Sequence, residues 1–178
     1  MTAAQADLQI DRPRVADGAA LWRLARDSRV LDLNSSYSYL LWCRDFAATS
    51  AVARDEHGDP FGFVTGYLRP ERPDTLLIWQ VAVDEAYRGR RIAAAMLDAL
   101  FARVAAERPA VHTVETTIAP DNSASRRLFT SFAERHGARL EREVLFDAGL
   151  FPDGPHDPEV LYRIGPLTSA TGTPPPAP

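Results

Sequence analysis

Between Thr75 and Ile118 the spacing of apolar residues changes period twice, and this restricts the fold more than any other feature of the chain. The run LLIWQVAV is almost continuously apolar, as a strand buried on both faces is. From Ile92 to Val104 the spacing turns helical (Ile92, Met96, Leu97, Leu100, Phe101, Val104), and His112 to Ile118 alternates as a strand again. A strand, a helix and a strand over this length predict a βαβ unit with parallel strands and a right-handed crossover.

The flanks complete a mixed architecture. Leu8 to Arg14 alternates weakly and suits an edge strand, a position that tolerates Pro13. Gly18 to Ser28 places Ala20, Leu21, Leu24 and Ala25 on one helical face, with Asp17 expected to cap its first amides. A second helix is expected through Tyr37 to Phe46. Thr49 to Arg54, Phe61 to Leu68 and Thr75 to Val83 read as an antiparallel meander, with turns at HGDP and RPERPD. Asn122 to His136 reads as a further helix, and Val144 to Phe146 and Val160 to Ile164 as late strands. Residues 1–7 are expected to be flexible, 8–167 to form one domain, and 168–178 to be a disordered proline-rich tail.

Composition narrows the class. A chain of 178 residues, 46% hydrophobic and 25% charged, has enough apolar material for a real core. Cys43 stands alone, so no intrachain disulfide or paired-thiolate metal site is available. The net charge is −4, and all 20 basic residues are arginine. Nothing global suggests a protein that coats nucleic acid or an anionic membrane, and no segment has the roughly 18 apolar residues of a spanning helix. A soluble, cytoplasmic protein that binds any anion locally is the expectation.

The local anion site is VAVDEAYRGRRIAAAML. A buried strand ends near Asp84 and a helix begins near Arg91 or Ile92, whose first amides have no intrahelical acceptor and carry the positive end of the dipole. That is a seat for a pyrophosphate, with Arg88, Arg90 and Arg91 adding charge. Three arginines in a loop are equally what a solvated corner looks like.

This run resembles motif A of the GNAT acetyltransferases: arginine or glutamine, two residues, glycine, one residue, then glycine or alanine. Arg88, Arg91 and Ala93 fall on those positions, with Arg91 where the middle glycine would stand. PDNSASRRLF resembles motif B, which implies Asn122 on the pantetheine arm, with Ser125 and Phe129 on the same helix. Many family members carry at Phe129 a tyrosine that protonates the leaving sulfur; phenylalanine has no proton to give. LDLNSSYSYLLW, GFVTGYLRPERPDTLLIWQVAVD, VETTIAPDNSAS and HDPEVLYRIGP together resemble the L-2,4-diaminobutyrate acetyltransferases, which carry out the first dedicated step of ectoine synthesis. The resemblance implies an α/β (α+β mixed) GNAT fold: a central, mostly antiparallel sheet with a splayed parallel pair and helices on both faces. It also implies a homodimer and acetyl-CoA as co-substrate. The implied cofactor contacts are Val81, Ala82, Val83, Arg88, Gly89, Arg90, Arg91, Ile92, Ala93, Ala94, Asn122, Ser125 and Phe129.

Diaminobutyrate has two ammonium groups and one carboxylate, so its pocket needs acidic residues and a donor or cation. Asp32, Glu115, Asp157 and Glu159 are acidic; Asn34, Ser35, Tyr37, Tyr39, Trp79, Thr117 and His156 offer donors or aromatic walls. Several have plainer readings. Asp32 suits a helix cap, Tyr37 and Tyr39 cannot both face one side of a helix, and FPDGPHDPE suits an exposed loop. Glu115 is the most telling, because a charge inside a central strand is costly unless paired. A metal site is disfavoured, since no second histidine or cysteine accompanies His156.

The expected chemistry is direct attack of a neutral amine on the thioester. Glu115, or His156 through water, would take the proton, Asp32 and Glu159 would orient the ammonium groups, and an amide near Val81 to Val83 would hold the oxyanion. Other small amines or a protein N-terminus as acceptor, and a non-catalytic acyl-CoA sensor, are the alternatives. Cys43 as a covalent nucleophile is a further route, set against its place in an apolar helical run.

Overall fold

The computed structural model describes residues 8–168; the expected flexible start and the tail from residue 169 on lie outside the described residues. Seven strands form one sheet in the order β1-β2-β3-β4-β5-β7-β6. In chain order the elements are β1 (Gln9–Asp11), α1 (Gly18–Ser28), α2 (Ser36–Asp45), β2 (Ala51–Arg54), β3 (Pro60–Arg69) and β4 (Arg72–Val83), then α3 (Ile92–Glu107), β5 (Thr113–Ile118), α4 (Ser123–Arg135), β6 (Arg139–Phe146) and β7 (Glu159–Gly165). The βαβ reading holds: β4 and β5 pair in parallel from Thr75↔Thr113 to Ile78↔Thr116, while β4 itself runs on to Val83. The β1–β2, β2–β3, β5–β7 and β6–β7 pairs are antiparallel.

By their contacts the residues group into two compact units. The first comprises residues 8–67 with Gln80–Leu100; the second comprises Leu68–Trp79 with residues 101–168.

In the first unit, α1 and α2 share a core of Leu21, Ala25, Tyr39, Cys43, Val52, Phe63 and Ala82. Each large apolar side chain buried there contributes roughly 1.5–3 kcal/mol. Gly18 lets the two helices approach, since a Cβ at that position would lie 2.7 Å from Leu40 Cδ2. Helix α1 ends where Arg29 turns left-handed (φ 57°) and Ser28 Oγ donates to Ala25 O. Its start differs from expectation. Asp17 makes no cap bond to α1. Instead its carboxylate accepts from Arg14 N at 2.6 Å and from both terminal nitrogens of Arg54 on β2, at 3.0 and 2.8 Å. A buried guanidinium is a stronger claim on a carboxylate than a helix amide. Thr49 also departs from the expected strand: it closes a short 3-10 turn, donates to Gly66 O at 2.6 Å, and leaves β2 to begin at Ala51.

In the second unit, α4 packs on β6 and β7. Phe101 meets Phe132 edge-on at 6.0 Å, and His136 closes over Phe132 at 4.4 Å. Strand β6 is the outer strand on its side of the sheet and is longer than the Val144 to Phe146 segment expected. The turn expected over RPERPD narrows to Pro70 and Glu71, because β4 already begins at Arg72.

Candidate active site

Within the first unit the anion loop has the expected layout. Strand β4 ends at Val83, Asp84 Oδ1 accepts from Ala86 N at 2.9 Å, and a short turn leads into Arg88–Arg91. Gly89 (φ 78°) and Arg91 (φ 59°) both sit in the left-handed region. Arg91 O accepts the first helical bond, from Ala95 N at 3.0 Å, so Arg91 is the cap position and the amides of Ile92, Ala93 and Ala94 precede any intrahelical acceptor. A left-handed arginine costs roughly 1–2 kcal/mol relative to a helical one, and it stands where motif A has glycine, the residue without that penalty. Arg88 Nε donates to Val83 O at 3.2 Å and the Arg90 guanidinium lies 5.5 Å over the Tyr87 ring. Peptide N–H groups, a permissive glycine and three guanidinium groups suit a diphosphate.

The same unit holds Asp32, Asn34, Ser35, Tyr37 and Tyr39. Gln80 ties two of them together. Its Nε2 donates to Asp32 O at 2.9 Å, and its Oε1 accepts from the Tyr39 hydroxyl at 3.0 Å. Asn34 Nδ2 also donates to Asp32 O, at 3.3 Å. The Asp32 carboxylate is exposed, and the cap of α2 is Ser35, which accepts from Ser38 N at 3.4 Å. Burial pushes the Tyr39 hydroxyl pKa above its usual value, so this group stays a donor. Tyr39 is buried and Tyr37 is 65% exposed, which separates packing residue from free ring. Cys43 is buried, and burial pushes its thiol up to about 12. A protonated, enclosed thiol is a poor nucleophile.

In the second unit Glu115 is 1% exposed and sits at the centre of an ion cluster. Arg69 Nη1 donates to Oε2 at 3.0 Å, and Arg163 Nε donates to Oε1 at 2.9 Å. Arg163 faces Glu115 directly in the β5–β7 register, and its Nη2 reaches Glu143 at 3.5 Å. The Glu115 carboxylate in turn raises the pKa of Arg163. Both oxygens of Glu115 are therefore engaged by cations. Thr117 is half-buried on the same strand and Trp79 is 38% exposed on β4. His156 stacks on Phe151 at 3.6 Å and its Nδ1 bonds to Asp157 O. A carbonyl only accepts, so Nδ1 is the donor in this bond, and Nε2 lies outside it. Asp157 is exposed and Glu159 half-buried at the start of β7. On α4, Asn122 Oδ1 caps the helix by accepting from Ser125 N at 3.0 Å, and Phe129 is buried. Among the described residues no group of three or more His, Cys, Asp or Glu side chains is placed to hold a metal, and no helix is long and apolar enough to cross a membrane.

Residues 19–133 match the model of the acetyltransferase (GNAT) family. The chain belongs to the GNAT acetyltransferase family. Within that family it is 78% identical over 169 residues to the L-2,4-diaminobutyric acid acetyltransferase of Streptomyces coelicolor, covering 95% of this chain and 99% of the relative. It is 43% identical to the protein of that name from Marinococcus halophilus, covering 89% of this chain and 90% of the relative. Among solved structures, the diaminobutyrate acetyltransferase EctA from Paenibacillus lautus, in complex with its substrate L-2,4-diaminobutyric acid and coenzyme A, aligns with a TM-score of 0.85. That pair is 41% identical, with 93% of this chain and 99% of the other covered.

Two features, one in each unit, were not singled out from the sequence. Gln80 looked like one polar residue in an apolar strand, although a buried amide always needs partners. Arg69 and Arg163 were hidden among 20 arginines, although the charge of Glu115 inside β5 required cations from somewhere.

Proposed function

We propose that this chain transfers the acetyl group of acetyl-CoA to the 4-amino group of L-2,4-diaminobutyrate, the first dedicated step of ectoine synthesis. The observation that carries this reading is the Paenibacillus lautus structure, whose substrate and coenzyme are those of this reaction and which matches 93% of this chain at 41% identity.

Acetyl-CoA supplies an acyl group activated as a thioester. The amides of Ile92, Ala93 and Ala94, with Gly89 and the guanidinium groups of Arg88, Arg90 and Arg91, hold its pyrophosphate. Val81, Ala82 and Val83 offer main-chain N–H groups to the acetyl oxygen, and Asn122, Ser125 and Phe129 line its pantetheine arm. An alkyl ammonium has a pKa near 10.4, so at pH 7.5 only about one acceptor amine in a thousand is neutral. A base is needed. Glu115 has both oxygens on guanidinium groups and anchors the pocket, whereas His156 Nε2 lies outside the bond that holds the ring, and His156 takes the proton. The carboxylates of Asp32 and Glu159 orient the ammonium groups, and Asn34, Ser35, Tyr37, Trp79 and Thr117 supply donors and walls; Tyr39, expected among them, is buried with its hydroxyl on Gln80 and packs behind them. A thiol leaves near pKa 8.5, so the reaction proceeds without a hydroxyl at Phe129.

The protein works in the cytoplasm as a homodimer. Support for the dimer comes from the apolar group Val144, Leu145, Phe146 and Leu150, which is 55%, 40%, 46% and 66% exposed.

The test is turnover of purified protein with acetyl-CoA and, in parallel, diaminobutyrate, ornithine, lysine and spermidine, with the product located by NMR. Strong preference for diaminobutyrate with acetylation at N4 is expected. Equal rates on all four amines, or coenzyme binding without turnover, would refute it.

A further inference from the structure

We propose that Arg69 is the receptor for the α-carboxylate of the acceptor, and so the residue that makes this site select an amino acid over a plain diamine. The inference rests on the acetyltransferase reading above. Diaminobutyrate needs a cation for its carboxylate, and the second unit holds one that its own ion pairs leave in excess. Glu115 carries one negative charge and receives two guanidinium groups, one from Arg69 and one from Arg163. The second of these has a further carboxylate, Glu143, at 3.5 Å. Arg69 has Glu115 as its carboxylate partner, and shares it.

Geometry points the same way. A guanidinium has five N–H donors in a planar fork, and Arg69 uses its Nη1 on Glu115 Oε2. Glu115 is 1% exposed and the Arg69 side chain 33% exposed, so one prong of the fork is fixed on a buried carboxylate while the side chain keeps access to solvent. Such a fork is suited to bidentate capture of a second carboxylate. Glu115 lies opposite Leu77 in the β4–β5 register, and strand alternation places Trp79, two residues along β4, on the same face. A planar apolar wall and a held guanidinium suit the backbone end of a small amino acid.

The test compares kcat/KM for L-2,4-diaminobutyrate and for 1,3-diaminopropane, the same diamine without its carboxylate, on one preparation of each variant. The ratio of the two does not depend on the folded fraction. Where turnover of 1,3-diaminopropane is too slow to follow, its inhibition constant against diaminobutyrate replaces its KM. In Arg69→Gln the ratio is expected to fall about 10- to 100-fold, the loss of one charged hydrogen-bonding partner, carried by KM for diaminobutyrate. Arg69→Lys recovers part of it, and Arg163→Gln alters both amines alike. A ratio within twofold of wild type in Arg69→Gln, or an equal loss on both amines, overturns the assignment. Wild-type protein that acetylates neither amine overturns instead the functional reading, and the inference with it.

Discussion

Replacing Asp17 with asparagine is expected to be the most damaging isosteric change in the first unit. The Arg54 side chain is 4% exposed and that of Asp17 is 9%. The pair is bidentate, at 3.0 and 2.8 Å, and Arg54 Nη1 also donates to Gly58 O at 3.1 Å. The third guanidinium nitrogen, Nε, lies 3.4 Å from Asp11 Oδ2, an ion contact without hydrogen-bond alignment. Asparagine keeps the shape but removes the charge, leaving an enclosed cation whose remaining anion, Asp11, is 37% exposed and out of hydrogen-bond alignment. Breaking a buried pair in this way costs about 3–5 kcal/mol, which for a chain of this size lowers Tm by roughly 6–20 °C. Burial opposes the Asp17 charge, yet the bonds from Arg54 and from Arg14 N outweigh it and hold the carboxyl pKa below its usual value. The sign follows. The pair contributes fully above the unfolded pKa of about 4 and loses its contribution as pH falls through the lower folded value. Urea unfolding from pH 7 down to pH 3 should show wild type and Asp17→Asn converging in acid, with the full gap at neutral pH. The double variant Asp17→Asn with Arg54→Met should recover much of the loss. A gap below about 1 kcal/mol at pH 7, or one that does not narrow as pH falls toward 3, would refute the account.

Three other changes test the site. Glu115→Gln should lower both kcat/KM and stability while leaving the acidic limb of the pH–rate profile in place; loss of that limb would make Glu115 the base after all. Cys43→Ala should keep more than half of wild-type turnover, and intact-mass measurement after acetyl-CoA alone should find no acetylated Cys43. Arg91→Gly should change stability by no more than about 1 kcal/mol, since relief of the left-handed arginine offsets glycine's greater chain entropy, while the KM for acetyl-CoA rises with loss of a charge.

The βαβ unit from Thr75 to Ile118 and helix α1 from Gly18 to Ser28 were legible because one face of each must be apolar, and the period of that face reports the element. Strand β6 was legible only at its apolar end. Its residues from Arg139 to Glu143 have one half-buried position, Leu140, so no alternation marks them. Long-range polar pairing was the least legible feature. Asp17 looked like a cap because capping is local, and its actual partner lies 37 residues away. At the candidate site, the chemistry of Glu115 could be anticipated in kind: a charge in a central strand demands compensation. Which arginines supply it depends on the β5–β7 register and on where β3 ends, neither of which a pattern of residues specifies.

Among the described residues strand β6 has no neighbour on its outer side, and its pairing with β7 slips between Val144 and Phe146. An open edge of eight residues is a template on which unfolded chains can polymerise. The stretch Arg139, Glu141, Arg142 and Glu143 works against this by making every incoming strand meet charges of both signs, and the slipped register twists the remainder out of line. Neutralising those four side chains is expected to raise the aggregation of the purified protein, read by light scattering.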